Sequence, residues 1–198
     1  MRRAIQLLII AMSLLTAACA PLVTQSPGAG YSPVNAVADG EDKRVILKGA
    51  DVVAYFTDHR YEQGSPAIKS VYKEVTFRFA TPEHKRLFDA APEKYLPQFG
   101  GYCSNGIAYA IPWGGDADIF EMWDGKLYIF GGQGSRDAFM LDQPRFMKLA
   151  HQYWDGEVNG SNALWQRTKR LIFRVPHYKS GEELAKEVAA AKAAGTLK

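Results

Sequence analysis

The run from Phe77 to Cys103, FRFATPEHKRLFDAAPEKYLPQFGGYC, constrains the fold of this chain more than any other stretch. It reads as a strand, a capped helix, a second short turn and a glycine turn that delivers one cysteine. Phe77 and Phe79 alternate with Arg78, the period of a pleated strand. Thr81 offers its hydroxyl oxygen to a free amide at the helix start, and Pro82 has no N–H to lose at the first helical position. Leu87 and Phe88 then face the sheet. Pro92 to Tyr95 opens another short turn, with Tyr95 and Phe99 as packing residues. Gly100-Gly101 breaks the pattern before an apolar run, Tyr102 to Ile111, which is expected to be a strand.

Upstream, Val45-Ile46-Leu47 is expected as a short buried strand, Gly49-Ala50-Asp51 as a turn and Val52 to Phe56 as a second strand. His59 to Pro66 is a polar loop, and Ile68 to Phe79 alternates as a hairpin. Downstream, Ile119–Trp123 and Lys126–Phe130 flank Asp124-Gly125, the pair favoured in a type I′ turn because both positions need positive φ. Gly131 to Gly134 reads as a loop, and Ser135 as the cap of a helix with Phe139 and Met140 on its inner face. Gln143 to Trp154 carries Phe146, Leu149, Ala150 and Tyr153 at helical spacing. The predicted class is α+β, with antiparallel hairpins packed with short helices over residues 43–154. A C-terminal extension, 155–198, follows. Its segment Leu164–Tyr178 mixes large apolar side chains with Arg167, Lys169, Arg170 and Arg174. It is expected to dock on the core, or to meet a membrane surface or a partner. Ser180-x-x-Glu183 is a capping box that opens an alanine-rich helix.

Arg2 and Arg3, an apolar run from Ala4 to Leu15 and the small residues Thr16 to Ala20 have the order of a secretory signal over residues 1–20. The run is about a dozen residues long, short of the roughly 20 that a membrane-spanning helix needs. Ala18-Cys19-Ala20 fits cleavage after Ala20. Leu15-Thr16-Ala17-Ala18-Cys19 resembles a bacterial lipobox, with Thr16 where leucine is usual. On that second reading Cys19 is lipidated and anchors the chain to a membrane. Both readings place the mature chain outside the cytoplasm, on the periplasmic side of the envelope. Residues 21–42, rich in Pro, Gly, Ser, Ala and Asn, read as a flexible tether. The formal net charge is +3, and Arg2 and Arg3 supply two of those charges. The remainder is too weak to hold nucleic acid, and no basic stripe with interleaved aromatics is present. With Cys19 removed or lipidated, Cys103 is left without a cysteine partner.

The pattern of the central residues resembles the YHS domain, a small module often associated with metal binding. Asp51-Val52-Val53-Ala54-Tyr55-Phe56 looks like the family's first motif, with Ala54 where cysteine is usual. Phe79-Ala80-Thr81-Pro82-Glu83-His84 looks like the second, with Ala80 and His84 at its two cysteine positions. Phe88 and Pro92-Glu93-Lys94-Tyr95 match. The Tyr-His-Ser signature is poorly kept, with Ser70 its one counterpart. Gln98-Phe99-Gly100-Gly101-Tyr102-Cys103 is similar to an exported branch of the family that lacks the metal cysteines. Some relatives of that branch are described as selenoproteins, and selenocysteine at this position in them would imply a redox role.

Three function classes follow. The first is an exported, non-enzymatic binding or accessory module of the cell envelope, holding a small ligand or a transition metal such as zinc or copper through His84 and Cys103. Two alanines at thiolate positions weigh against the metal, because such sites need three or four converging ligands. The second is a thiol-based redox protein using Cys103, with backbone amides near the sulfur stabilising a thiolate. The third is a structural envelope protein that docks a partner through residues 155–198. No phosphate-binding loop and no nucleophile elbow occur.

Overall fold

A computed structural model describes residues 33–197. The signal-like segment, Cys19 and the first part of the tether lie outside the described residues. Four strands form a mixed sheet: β1 (Ala36–Asp39), β2 (Asp42–Ile46), β3 (Ser65–Tyr72) and β4 (Val75–Phe79), in the order β1-β2-β4-β3. β2 and β4 run parallel, with Val45 opposite Thr76, and the other neighbours are antiparallel. A separate antiparallel hairpin comprises β5 (Asp116–Trp123) and β6 (Lys126–Phe130). The helices are α1 (Ala54–Thr57), α2 (Pro82–Ala90), α3 (Pro92–Tyr95), α4 (Ser104–Ile107), α5 (Gln133–Met140), α6 (Gln143–Tyr153), α7 (Ala163–Ile172) and α8 (Gly181–Ala193). A π-helical turn, Trp154–Val158, extends α6. The class is α+β.

Strand β6 is the wall between two cores. Leu127 and Ile129 pack with Ile46, Phe77, Phe79 and Phe88 of the sheet side. Tyr128 and Phe130 pack with Phe99, Tyr102, Phe139 and Phe146 of the helical side. Successive strand side chains point to opposite faces, so burial on both faces requires the unbroken apolar run Leu127–Phe130. Asp124 and Gly125 both have positive φ, 51° and 69°, as the type I′ turn requires.

Thr81 caps α2 by accepting the His84 N–H at 3.1 Å, with Pro82 at the first turn. Phe88 of that helix lies against Phe77 and Phe79, with ring centroids 4.6 and 5.2 Å away. The capping box at Ser180 is formed in both directions.

Five expectations need correction. Val52–Phe56 is not a strand. The buried Asp51 carboxylate accepts the Val53 N–H at 2.9 Å, and this side-chain turn leads into α1. Tyr102–Ile111 is also not a strand. Cys103 alone bridges to Ile129, and the chain then coils through α4 and folds back with the Ile111 N–H on the Gly106 carbonyl. Its continuous burial, not a strand, explains its apolar content. Helix α5 is capped at Gly132 and not at Ser135, which lies inside its first turn. The sheet begins at Ala36, inside the stretch expected to be tether, and Ala36 is fully buried. Finally, the core does not end near Trp154. Val158, Ala163, Val175, Leu184 and Val188 belong to the helical-side core, so residues 155–197 are part of the body of the fold.

Asp137 of α5 ties α8 down. It is 2% exposed, and its carboxylate accepts Gln133 Nε2 at 2.7 Å and Lys192 Nζ at 2.6 Å. Burial pushes its carboxyl up, but the hydrogen bonds from Lys192 and Gln133 and the nearby charges outweigh that and hold it below the usual 3.8. A lowered folded-state pKa gives stability that is complete above the unfolded value and lost as pH falls below it. The stability difference between wild type and Asp137→Asn is therefore expected to be full at pH 6 and to shrink below about pH 4. Urea unfolding across that range measures it, and a difference that does not change with pH counts against the ion pair.

Candidate functional site

Cys103 is placed by an unusual left-handed turn. Phe99, Gly100 and Gly101 have φ of 54°, 60° and 76°. Glycine tolerates this region freely, whereas an aromatic residue there is strained. A Cβ on Gly100 would also come within 2.4 Å of the Pro33 carbonyl oxygen. Asn35 clamps the turn. Its Nδ2 donates to the carbonyls of Gly101 at 3.0 Å and Gly115 at 3.2 Å, and its N–H to Gly100 at 2.8 Å.

The Cys103 N–H donates to Trp113 O at 2.9 Å, and the residue is 3% exposed. Sγ accepts the Gly106 N–H at 3.4 Å and lies 3.0 Å from Ser135 Oγ. Beside it Asn105, 7% exposed, has a buried Oδ1 with no hydrogen-bond partner. A buried acceptor without a donor costs about 1–3 kcal/mol, so this position favours a bound donor. These residues line a half-open cleft of about 270 Å³, walled by Tyr109, Trp113, Leu171 and Tyr178. Burial pushes the Tyr109 phenol up to about 12, so it stays neutral at physiological pH.

The C-terminal region builds one side of this cleft. Arg167 donates from Nε at 2.7 Å and Nη2 at 2.5 Å to Pro112 O and lies 5.8 Å from the Trp113 ring centroid. Gln166 Nε2 donates to Ala110 O at 3.0 Å, and His177 Nε2 to Ala108 O at 2.9 Å. Leu171, Tyr178, Lys179 and Leu184 line the cleft as well. The sequence reading did not place these four at a site, because they fall beyond the expected domain end and no motif marks them.

His84 lies elsewhere and is not brought to Cys103. Its Nδ1 is 2.7 Å from Oδ2 of the fully buried Asp51, whose oxygens also accept the amides of Val53 and Ala80. His84 Nε2 faces Thr57 Oγ1 at 3.4 Å and Asp58 Oδ2 at 3.6 Å. Thr57, His84 and Asp51 thus stand in the order of a hydrolytic triad. The Thr57 hydroxyl, however, also lies 3.2 Å from the Val53 carbonyl, where its proton is directed into the backbone, and neither cleft described here includes these residues. The cluster pins α1, β4 and α2 together. A metal does not fit the expected pair either. Among the described residues no group of three or more His, Cys, Asp or Glu is placed to hold an ion.

A larger cleft, about 500 Å³, lies between Tyr72, Phe77, Glu93, Phe99 and Trp154. Its charged groups satisfy one another: Glu93 accepts both Tyr72 Oη at 2.5 Å and Lys73 Nζ at 2.6 Å. It offers a ligand less than the Cys103 cleft does. No helix among the described residues is long and apolar enough to cross a membrane. Comparison with protein-family models, curated proteins and solved structures finds no match to this chain.

Proposed function

We propose that this chain is an exported, YHS-like binding module of the bacterial cell envelope, anchored through Cys19, whose ligand seat is the cleft over Cys103. The observation that carries the reading is a single cleft lined by Cys103, Asn105 and Ser135 and walled by Tyr109 and Trp113, in which the buried Oδ1 of Asn105 has no hydrogen-bond partner. The ligand this arrangement favours is small, carries an N–H or O–H donor, and has a flat or apolar part for Trp113 and Tyr109. Thermal unfolding with a panel of primary amines, ureas and polyols tests it. One class is expected to raise the midpoint, by linkage of binding to folding. The rise is expected to vanish in Asn105→Leu and to weaken in Trp113→Ala. No rise with any class, in a protein that unfolds cooperatively, counts against the seat. Labelling with radioactive palmitate and fractionation of Cys19→Ala test the anchor separately.

A second reading uses the sulfur itself, and the Gly106 amide and Ser135 hydroxyl on Sγ favour it. Under the binding reading, Cys103 is buried and reacts slowly. Iodoacetamide at neutral pH is expected to modify native protein at least ~10-fold more slowly than protein in denaturant. Native alkylation as fast as in denaturant moves the case to thiol chemistry.

A further inference from the structure

Helix α7 is built inside out. Its buried face carries Gln166 and Arg167, both under 9% exposed, beside Ala163. Trp165, Leu171, Ile172 and Phe173 point outward and are between 56% and 68% exposed. Trp165 and Ile172, two turns apart, share one face. The polar face is satisfied by the Ala110 and Pro112 carbonyls and by Glu157, which pairs with Gln166, Lys169 and Arg170. An apolar face of this kind, when left outward, marks an interaction surface.

We propose that this face lies on an anionic lipid bilayer, with Trp165, Leu171, Ile172 and Phe173 at the boundary of headgroups and acyl chains. Charge complementarity selects this occupant. Between Leu164 and Tyr178 the chain has Arg167, Lys169, Arg170 and Arg174 and no carboxylate. Arg167 is buried on Pro112 O and Glu157 pairs with Lys169 and Arg170, so the cations that keep exposed surface beside the apolar side chains are Lys169, its side chain 39% exposed, and Arg174. Arg174 is exposed beside the apolar turn, its guanidinium 4.3 Å from the Tyr178 ring centroid. Basic residues at the edge of an apolar helical face are the pattern of a helix lying in the membrane interface. A second copy fits less well, because two identical faces packed symmetrically set these cations against each other. A lipid at Cys19 permits the contact. Roughly 14 residues separate it from Pro33, and at ~3.5 Å each they reach about 50 Å. That use of Cys19 rests on the envelope reading above. Leu171 belongs to both the exposed face and the cleft lining, so the Cys103 cleft opens beside the bilayer.

The test uses the full chain with vesicles of phosphatidylglycerol and phosphatidylethanolamine carrying brominated acyl chains. Tryptophan emission is expected to fall relative to unbrominated vesicles. The fall is expected to be lost in Trp165→Phe and in Ile172→Asp, and to weaken with phosphatidylcholine or high salt. Both side chains are exposed, so these variants keep the fold. The N-terminal segment is the same in every variant and does not bear on the difference. Equal emission with and without bromine in the wild type overturns the proposal. If a second copy covers the face instead, Trp165 stays unquenched and sedimentation shows a dimer that Ile172→Asp dissolves. Quenching without palmitate labelling keeps the surface and removes the anchor, so the two failures are distinct.

Discussion

Replacing Asp51 with alanine is expected to remove about 3–5 kcal/mol of folding stability. The carboxylate has no exposed surface and serves three elements at once. Oδ1 accepts the Val53 N–H at 2.9 Å, which starts the turn into α1. Oδ2 accepts the Ala80 N–H at 2.7 Å, where β4 ends, and faces His84 Nδ1 of α2 at 2.7 Å. Alanine leaves two backbone donors and an imidazole without this acceptor in a dry site, and each bare donor costs about 1–3 kcal/mol. Water filling the space recovers part of that. His84→Ala removes one partner of three and is expected to cost roughly 1–2 kcal/mol. Urea unfolding followed by circular dichroism gives both values. An Asp51→Ala protein within about 1 kcal/mol of wild type shows that the acid is not the tie described here.

Asp51 also shows where sequence reading stops. Asp51 to Phe56 is a turn and a short helix because of where one carboxylate points, and that depends on Ala80, distant in sequence. Val52 and Val53 favour strands, and nothing nearby in the sequence announces the turn. By contrast, the β5–β6 hairpin and the α2 cap were legible because Asp-Gly and Thr-Pro act on their own neighbours. The β3–β4 hairpin was legible only in part: the alternation holds for Val75, Phe77 and Phe79, but Val71 stands opposite Thr76 and is 70% exposed. Its turn residues Lys73 and Glu74 take positive φ, 47° and 62°, with no glycine to mark them. Of the cleft, Cys103 and the glycines before it could be read. Asn105 could not, because its role depends on a missing partner, which only packing reveals. The outward face of α7 was visible as composition, but which side of the helix faces out was not. Buried Gln166 and Arg167 reverse the usual rule because the Ala110 and Pro112 carbonyls need donors there.

Ending the chain after Gly160 is expected to abolish cooperative folding of the helical side, although the composition there suggests a dispensable appendage. The cut removes Val175, Leu184 and Val188 from the core, each fully buried or nearly so. Each such side chain contributes about 1.5–3 kcal/mol when buried. It also strips the Gln166 donor from Ala110 O and the Arg167 donors from Pro112 O, and takes Lys192 from Asp137. The total exceeds ~5 kcal/mol, comparable with the whole stability of an ordinary domain. The truncated chain is expected to bind a hydrophobic dye and to unfold without a sharp transition, whereas Ile172→Asp keeps the wild-type midpoint within about 0.5 kcal/mol. A truncated chain that melts sharply at the wild-type temperature overturns this placement of residues 161–197. The contrast decides how the α7 surface can be studied. Deletion removes the surface and the core behind it together, so a lost interaction after truncation reports unfolding. Single charges placed on Trp165, Leu171, Ile172 or Phe173 change what the face meets and leave intact what Gln166 and Arg167 hold.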